Sequence, residues 1–420
     1  MNNTAIVGVN WGDEGKGRIV DLFSSNYDIV IRYQGGGNAG HTVMNEFGTF
    51  ALHLLPSGIF RKNVVNILGN GVALDPISLL KEMKTVRDCS IPISPENLKI
   101  SSRASLLMPW HVDLDVLEEN RLANKKYGST KQGIAPFYSD KYQKKTVMAG
   151  EVFDDELFMQ HIEDLMAWKD MIIRAYGGEE YTKDRLKEFF ETIEEIKPYI
   201  CDVTLYLNEN RDKRIMFEAQ LGSLRDIDYG IYPYTTSSNT LASYAPIGAG
   251  CPDLKLDKVI GVAKAYSTCV GEGPFVSEMF DEEAEELRKA GSEYGAKTGR
   301  PRRVGAFDVV ATRYGVKVQG CDAVAITKLD VLSYMDKIPI CVSYLVDGKE
   351  TDEFPFPSKL NKAEPIIRYF DGWKCDISDI RKYEDLPIKA REYIEFIEKG
   401  IRCPLAYISV GPERESIIYR

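Results

Sequence analysis

The residues best suited to chemistry lie in a glycine-rich segment near the start of the chain, Gly8-Val9-Asn10-Trp11-Gly12-Asp13-Glu14-Gly15-Lys16-Gly17. Its glycines leave backbone N–H groups open to an anion that Lys16 can neutralise, which is typical of a phosphate-binding loop. The spacing is longer than in a regular P-loop, and Gly17 stands where a Ser or Thr hydroxyl would bind Mg²⁺. Asp13 is then the nearest candidate for a metal ligand. The alternative is a glycine-rich turn with a solvated Asp13 and Glu14 pair.

A second glycine-rich segment, Gln34-Gly35-Gly36-Gly37-Asn38-Ala39-Gly40-His41-Thr42, follows an apolar run that predicts the second strand. We expect both segments at the carboxyl ends of neighbouring strands, where open α/β sheets bind ligands. His41 would enter this crevice beside Asp13. A lone histidine is often structural, but its glycine-rich surroundings favour a catalytic role.

Two further segments carry recognition chemistry. In Ile326-Thr327-Lys328-Leu329-Asp330, the carboxylate of Asp330 can accept both donors on the guanine edge while the stem of Lys328 packs on the ring. Adenine lacks this donor pair, so the segment favours GTP over ATP. The segment Lys297-Thr298-Gly299-Arg300-Pro301-Arg302-Arg303 is dense in cations and hydroxyls, and it predicts either a carboxylate or phosphate clamp or a solvated basic turn.

Hydrophobic patterning predicts the elements that position these segments. The runs 4–9, 27–33 and 64–68 suit buried parallel strands, and residues 16–23 have helical periodicity. Asp75 and Pro76 predict the start of another helix. Further strands are expected at 201–217, 258–266, 323–327 and 405–410, and an all-α segment at 151–197. Strands on both sides of that segment predict one α/β domain over 1–420, with a large, mostly parallel sheet, a P-loop-like GTP-binding core and a helical insertion at about 151–200.

Composition limits the partners. The chain has 420 residues, and 53 Lys plus Arg against 63 Asp plus Glu give a net charge of −10. Without a compensating basic run, this charge argues against nucleic acid or an anionic membrane. No apolar run reaches the roughly 18 residues of a membrane helix and residues 1–4 do not resemble a signal peptide, so we expect a cytoplasmic location. The eight cysteines form no C-x-x-C pair, which indicates reduced thiols.

The chain resembles the adenylosuccinate synthetase family in a series of blocks that follow the family's order. They are Trp11-Gly12-Asp13-Glu14-Gly15-Lys16-Gly17, Asn38-Ala39-Gly40-His41-Thr42, Asp226-Ile227-Asp228-Tyr229-Gly230-Ile231-Tyr232-Pro233, Thr236-Ser237-Ser238-Asn239-Thr240, Thr298-Gly299-Arg300, Thr327-Lys328-Leu329-Asp330 and Ser409-Val410-Gly411-Pro412. The resemblance implies GTP-dependent ligation of L-aspartate to inosine monophosphate (IMP), giving adenylosuccinate, GDP and phosphate on the way to AMP. Because the 6-oxo group of a purine leaves poorly, the family first phosphorylates O6 and then lets the aspartate amine displace phosphate.

The resemblance also assigns residues. Asp13 would take the proton from N1 of IMP, and His41 would donate a hydrogen bond or proton to the phosphates. One Mg²⁺ per subunit is the implied cofactor, held by Asp13 and the Gly40 carbonyl. The implied GTP contacts are Gly12, Glu14, Gly15, Lys16, Gly17, Gly40, Thr42, Lys328, Asp330, Ser409, Gly411 and Pro412. The implied IMP contacts are Asp13, Asn38, Ala39, Thr130, Lys144, Leu221, Thr236, Val270 and Arg300, and the implied aspartate contacts are Thr298, Arg300 and Arg302. Lys144 would reach the neighbouring site of a homodimer.

Several positions depart from the family pattern, and they lie on the acceptor side. Leu221 replaces a glutamine, with Gln220 one place early, and the other departures are Gln132, Lys144 and Cys269 for arginines, Tyr229 for a histidine, Lys297 for a threonine and Ala306 for a tryptophan. A paralogue acting on another purine nucleotide or amine donor is therefore one alternative. A slowly hydrolysing GTP switch is another, although switches place Mg²⁺ on a P-loop Ser or Thr.

Overall fold

The computed structural model describes residues 3–45, 47–295, 299 and 301–420. Their strands are β1 (Asn3–Gly8), β2 (Ile29–Arg32), β3 (His41–Asn45), β4 (Gly48–Leu52), β5 (Val65–Leu68), β6 (Ala73–Leu74), β7 (Leu98–Ser101), β8 (Ser105–Leu106), β9 (Ile200–Cys201), β10 (Ile215–Gly222), β11 (Lys258–Lys264), β12 (Ser267–Cys269), β13 (Arg303–Gly305), β14 (Phe307–Asp308), β15 (Ala323–Thr327), β16 (Lys337–Val346), β17 (Lys349–Thr351), β18 (Glu364–Asp371), β19 (Leu405–Ser409) and β20 (Ile417–Tyr419). Their helices are α1 (Lys16–Ser24), α2 (Pro76–Asp88), α3 (Pro109–Leu122), α4 (Ile134–Gln143), α5 (Asp155–Ala175), α6 (Lys187–Ile196), α7 (Val203–Glu209), α8 (Ala245–Ala249), α9 (Asp281–Gly291), α10 (Val309–Gln319), α11 (Pro357–Leu360) and α12 (Ile388–Ile401).

A ten-stranded sheet forms the centre, in the order β20-β19-β15-β11-β1-β10-β2-β5-β7-β9. Its neighbouring strands are parallel, except that β19 and β20 are antiparallel. β2 and β15 are buried along their whole length, as expected for parallel strands covered on both faces. The predicted α/β fold with a large, mostly parallel sheet is confirmed, as are the strands expected at 4–9, 27–33, 64–68, 258–266, 323–327 and 405–410.

Two sequence-based expectations about the sheet are wrong. The run 201–217 is not one strand, because α7 lies inside it and β10 begins only at Ile215. The side chain of Asp202 accepts a hydrogen bond from the Leu205 amide (3.0 Å), which caps α7 and ends the extended run. In addition, β1 and β2 are not neighbours, since β10 pairs with both of them.

The expected helices start where the sequence places them. Helix α1 begins at Lys16 directly after Gly15, whose φ of 91° is a conformation that glycine adopts without strain. Helix α2 begins at Pro76, and the side chain of Asp75 accepts from the Ser78 amide (3.1 Å). Helix α1 follows β1 of the central sheet, and α2 follows β6, which pairs with β8 in a separate two-stranded sheet.

The segment 151–197 is helical, as predicted, and contains α5 and α6. Phe158 of α5 and Phe189 of α6 join the same apolar cluster as Met83 of α2, so the segment packs on the sheet's own helices. The single-domain organisation stays a prediction. Among the described residues, no helix has both the length and the apolar composition needed to cross a membrane.

Candidate active site

The two glycine-rich loops follow β1 and β2, and the end of β10 lies between them. The buried side chain of Gln220 on β10 accepts from the Gly36 amide (3.0 Å). It also donates to the carbonyls of Gly36 and Ala39. Gln220, the glutamine that stands one place early in the sequence, therefore fixes the loop that follows β2.

In the loop after β1, Lys16 donates to the Gly12 carbonyl (3.0 Å) and to the Glu14 carboxylate (2.7 Å). Glu14 in turn accepts from the backbone amides of Asn10 (3.0 Å) and Gly12 (2.8 Å). Gly12 has a φ of 112°, and a Cβ there would lie 2.6 Å from the Cα of Leu221, so only glycine fits. The amides and the ammonium that suit a phosphate thus converge on the loop's own carboxylate.

Asp13 lies between two cations. Its Oδ2 is 3.5 Å from the Lys264 ammonium and 3.6 Å from the Arg302 guanidinium. Burial alone would raise the pKa of Asp13, but these cations lower it below its ordinary value, so the carboxylate is ionised at neutral pH. Within the described part of the chain, this buried Oδ2 has no hydrogen-bond partner. Such an oxygen is a ligand that a hard cation such as Mg²⁺ prefers.

His41 begins strand β3 and points toward a buried carboxylate. Its Nδ1 is 3.3 Å from the Arg32 guanidinium, and its Nε2 is 2.9 Å from the Ser57 hydroxyl and 3.4 Å from the Glu218 carboxylate. Burial, reinforced by the charge of Arg32, holds the pKa of His41 well below its ordinary value. The ring is therefore neutral at pH 7 and can donate only one hydrogen bond.

The His41 ring also packs against the first turn of α1. A Cβ added to Gly17 would come within 2.4 Å of the ring, so this approach requires glycine. The sequence places His41 beside Asp13, but in the structure the two side chains have different partners, and His41 meets the phosphate loop at Gly17. Gly40 and Thr42, which flank the histidine, are exposed.

The segment predicted to bind guanine lies beside the C-terminal turn of residues 409–412. The Leu329 amide donates to the Ser409 carbonyl (3.2 Å), which places Asp330 next to the turn that carries Gly411 and Pro412. Arg18 of α1 donates to the Ser409 hydroxyl. Burial raises the pKa of Asp330, and the charge of Arg18 opposes this rise.

Lys328 is held at both ends. Its backbone has a φ of 60°, and its ammonium donates to the Gly291 carbonyl (2.6 Å) and to the Glu293 carboxylate (2.8 Å). The alkyl stem between these two ends is thereby fixed, as a surface for a flat base would need to be. The neighbouring Thr327 hydroxyl donates to the Glu14 carbonyl (2.6 Å), so this segment is hydrogen-bonded to the phosphate loop.

Glu293 is fully buried and joins the parts of the site. It accepts from Lys264 (2.9 Å), Lys328 (2.8 Å), Arg302 (2.6 Å) and the Tyr266 hydroxyl (2.6 Å). Although burial favours the protonated form, these cations hold the pKa of Glu293 far below its ordinary value. One carboxylate therefore links the segment predicted to bind guanine to the predicted aspartate loop.

The predicted acceptor contacts include two buried oxygens, Asn38 Oδ1 and Thr236 Oγ1, that have no hydrogen-bond partner among the described residues. Buried polar atoms are nearly always paired, so these two oxygens suit a ligand. Val270 is half exposed and Leu221 is partly buried.

The loop of residues 128–133 is tied to α3. The Asp115 carboxylate accepts from the Ser129 hydroxyl (2.7 Å) and from the Gly133 amide (2.9 Å). Thr130 lies between these two anchors and is exposed, and Lys144 is exposed at the end of α4. In the predicted aspartate loop, Arg302 lies in the site, whereas Lys297, Thr298 and Arg300 lie outside the described residues.

Sequence reasoning missed Arg18, Glu218, Lys264 and Glu293. A signal existed for Lys264, because it ends the strand expected at 258–266 and so lies at the same sheet edge as Asp13. No signal pointed to the other three, whose roles depend on contacts between distant segments.

Comparisons with known proteins match the whole chain to one family. The family model of adenylosuccinate synthetase matches residues 5–418. The chain is 42% identical to the adenylosuccinate synthetase of Caldanaerobacter subterraneus subsp. tengcongensis, over 100% of this chain and 99% of that one. It superposes on the structure of fully ligated adenylosuccinate synthetase from Plasmodium falciparum with a TM-score of 0.94 and 35% identity, over 100% of both chains.

A more distant likeness concerns the fold alone. Cyanophage S-2L succinoaminodeoxyadenylate synthetase, in a structure bound to dGMP and dATP, is 17% identical with a TM-score of 0.65, over 100% of this chain and 95% of that one. The full-length family match and the closer relatives decide the assignment. The chain belongs to the adenylosuccinate synthetase family of GTP-dependent ligases.

Proposed function

We propose that this protein joins L-aspartate to IMP at the expense of GTP, through 6-phosphoryl-IMP, and releases adenylosuccinate, GDP and phosphate. One observation carries the proposal. Polar atoms of Asp13, Asn38, Thr236 and Arg302 are buried at the predicted site without hydrogen-bond partners among the described residues, and the Asp13 and Arg302 atoms meet only as an ion pair at 3.6 Å. Each comes from a different segment of the chain, and a bound purine nucleotide with its co-substrates would supply the missing partners.

In the first step, the ionised Asp13 accepts the N1 proton of IMP. The electron pair then moves to O6, which attacks the γ-phosphorus of GTP, and GDP leaves. Lys16 and the amides of the first loop, freed from Glu14, neutralise charge on the transferred group. The neutral His41, once its ring has turned from Ser57 and Glu218, donates its one N–H to phosphate oxygens.

In the second step, the amine of aspartate attacks C6, the C6–O6 bond breaks, and phosphate leaves with the O6 oxygen and with the proton that the amine loses. Arg302 is suited to the carboxylates of aspartate, because a guanidinium matches a carboxylate in geometry. Asp13 and the carbonyl of Gly40 would hold one Mg²⁺, which would supply positive charge to the phosphates. The Asp13 oxygen that has no hydrogen-bond partner among the described residues supports this assignment.

The test is phosphate release from GTP together with chromatographic detection of the succinylated product. Both should require IMP and aspartate, ATP should not replace GTP, and chelation of Mg²⁺ should stop the reaction reversibly. Phosphate release that is independent of IMP and aspartate would favour the GTP switch. Parallel assays with dIMP, GMP and dGMP identify the acceptor, and a better rate with any of these would make the protein a paralogue with the same chemistry.

We also propose that the protein works as a homodimer in the cytoplasm. Lys144, exposed at the end of α4, would reach the neighbouring site, and the nearby Tyr142 and Met148 expose large apolar surfaces that a second copy could cover. Analytical ultracentrifugation should give twice the chain mass. A monomer with full activity would exclude this arrangement.

A further inference from the structure

Arg225 is a buried arginine to which the proposed mechanism assigns no role. It ends the short helical turn Ser223–Arg225 that follows β10, and it is 7% exposed. Its Nη1 donates to the carbonyls of Tyr234 and Glu272 (3.3 Å), and its Nη2 donates to the carbonyl of Val270 and to Cys269 Sγ (3.1 Å). All four acceptors are uncharged, so the guanidinium acts here as a multiple hydrogen-bond donor.

The backbone of Arg225 reaches a second part of the acceptor side. Its carbonyl accepts from the Thr236 amide (2.9 Å). Thr236 and Val270 are both predicted to contact the nucleoside monophosphate, and they belong to segments more than 30 residues apart. Arg225 therefore links the two segments, because its backbone binds the Thr236 segment and its side chain binds the Val270 segment.

The position next to Val270 explains why a guanidinium is needed there. The family resemblance implies an arginine at the position of Cys269. The thiol that stands there is buried and uncharged, because burial raises the pKa of Cys269. A thiol cannot span several carbonyls, whereas a guanidinium offers five donors in a fixed plane. Arg225, in the turn that follows β10, brings this group to Cys269.

The residues that Arg225 binds form a wall, made of Tyr234 and Glu272, beside the loop that carries Thr130. Tyr234 and Glu272, whose carbonyls Arg225 binds, line a cavity of about 720 Å³ together with Tyr127. A Cβ on Gly128 would lie 3.3 Å from the Glu272 side chain, so the start of the 128–133 loop rests on this wall. Movement of the wall would move that loop as well.

We propose that Arg225 is the positioning residue of the acceptor subsite. Its guanidinium fills the role of the arginine that the family resemblance implies at position 269, where this chain has Cys269. It holds the Val270 and Thr236 segments at the spacing that a purine nucleoside monophosphate requires. This inference rests on the proposed function, because it concerns binding of the acceptor.

The test compares Arg225→Leu with the exchange variant Arg225→Leu/Cys269→Arg. Arg225→Leu should raise the KM for IMP by at least about tenfold, through loss of several hydrogen bonds, while kcat and the KM for GTP stay unchanged. The exchange variant should restore the KM, because it returns one guanidinium to the same space. The control is Arg87→Leu on helix α2. It removes a guanidinium that donates to the Ile93 carbonyl (3.0 Å) and to the Tyr199 hydroxyl, and it should leave the KM for IMP unchanged.

A folded Arg225→Leu variant with the wild-type KM for IMP would overturn the inference, as would an exchange variant no better than the single one. If Arg225→Leu does not fold, Arg225→Lys decides, since one ammonium cannot span the four acceptors and a wild-type KM would refute the proposal. Titration calorimetry of IMP separates this inference from the proposed function. A wild type that binds IMP but forms no product refutes the function, and loss of that binding in Arg225→Leu still supports the positioning role.

Discussion

Asp13 and Glu293 share the same two cations, Lys264 and Arg302, and this sharing acts together with burial on the pKa of Asp13. The negative charge of Glu293 raises the pKa of Asp13 and so opposes the cations that lower it. Without that charge, both cations would act on Asp13 alone. Glu293 therefore keeps Asp13 a stronger base than its two cationic neighbours would allow.

Glu293→Gln tests this balance. The variant should lower the pKa of Asp13, weaken it as a base and release Arg302, so we expect kcat to fall and the KM for aspartate to rise, each by about tenfold or more. Steady-state kinetics measure both. Glu286→Gln, an exposed change on α9, is the control and should match the wild type. Unchanged kinetics in Glu293→Gln would show that the action of Asp13 as a base does not depend on Glu293.

Asp13→Asn keeps the size of the side chain but removes the base. Turnover should fall by about 10²–10⁴-fold, the usual contribution of a general base. GTP binding should persist, because Lys16 and the loop amides remain. A variant that retains a tenth of wild-type turnover would remove Asp13 from the mechanism.

Prediction from sequence succeeds at this scale where a motif is local. Asp13, Lys16 and Asp330 each lie in a short segment whose composition indicates its chemistry. Glu293 could not be predicted, since its neighbours Lys264 and Lys328 lie about 30 residues away on either side and meet it only in the fold. The sequence showed Gln220 only as a glutamine one position before the expected one. Its role in holding the loop after β2 depends on contacts that form in the fold.

Among the elements, helices α3, α4 and α5 are joined by a buried polar cluster. The Asp140 carboxylate is 2.9 Å from His111 Nε2 and 2.5 Å from the Lys169 ammonium. These side chains are at least 95% buried, so the ion pair is little screened by water. The cluster connects the helical insertion to α4, which has the Thr130 loop at its start and Lys144 at its end.

Lys169→Met leaves the Asp140 charge buried with only the His111 ring beside it. We expect a loss of about 3–5 kcal/mol in unfolding free energy, which is typical when one partner of a buried ion pair is removed. Adding Asp140→Asn should recover most of this loss, because the uncompensated charge is gone. Urea unfolding of both variants and the wild type measures the difference, and equal stability of Lys169→Met and wild type would contradict the role of the pair.

The same cluster predicts a pH dependence. Burial lowers the pKa of His111 below its ordinary value, although Asp140 opposes this. Below pH 6.5 the unfolded chain then binds a proton that the folded chain rejects, so this histidine contributes stability that is lost as pH falls. His111→Gln should be less stable than wild type at pH 7.5, and the gap should narrow by up to about 1.4 kcal/mol per pH unit below 6.5. A constant gap would show that His111 does not titrate differently on folding.

Strands of the sheet were predictable because buried parallel strands are continuous apolar runs, as in β2 and β15. The run 201–217 misled because α7 is short and its apolar residues, Val203, Leu205 and Leu207, alternate as in a strand. Only the cap made by Asp202 marks the helix. The insertion of β10 between β1 and β2 was not predictable either, since strand order is decided by packing over the whole chain.

At the scale of the whole molecule, the proposed GTP site joins segments from both ends of the chain. The phosphate loop ends at Gly17, the guanine segment lies at 327–330, and the last contact is the turn of residues 409–412. A ligand that binds all three segments stabilises the folded sheet against unfolding. GTP at about 100 times its Kd should add about 2.7 kcal/mol to the unfolding free energy, and ATP at the same concentration should add much less. Thermal shift assays test this, and equal stabilisation by both nucleotides would argue against guanine recognition by Asp330.

The position of β1 also has a consequence for how the protein is made. β1 leaves the ribosome before its hydrogen-bonding partners β10 and β11, which begin at Ile215 and Lys258. At translation rates of about 5–20 residues per second, β1 waits roughly ten to forty seconds for Ile215. Throughout that interval the backbone N–H and C=O groups of β1 lack their partner strands, and the loop that follows β1 is not held in place by the sheet. We therefore expect the nascent chain to need protection from aggregation until β10 and β11 have been made.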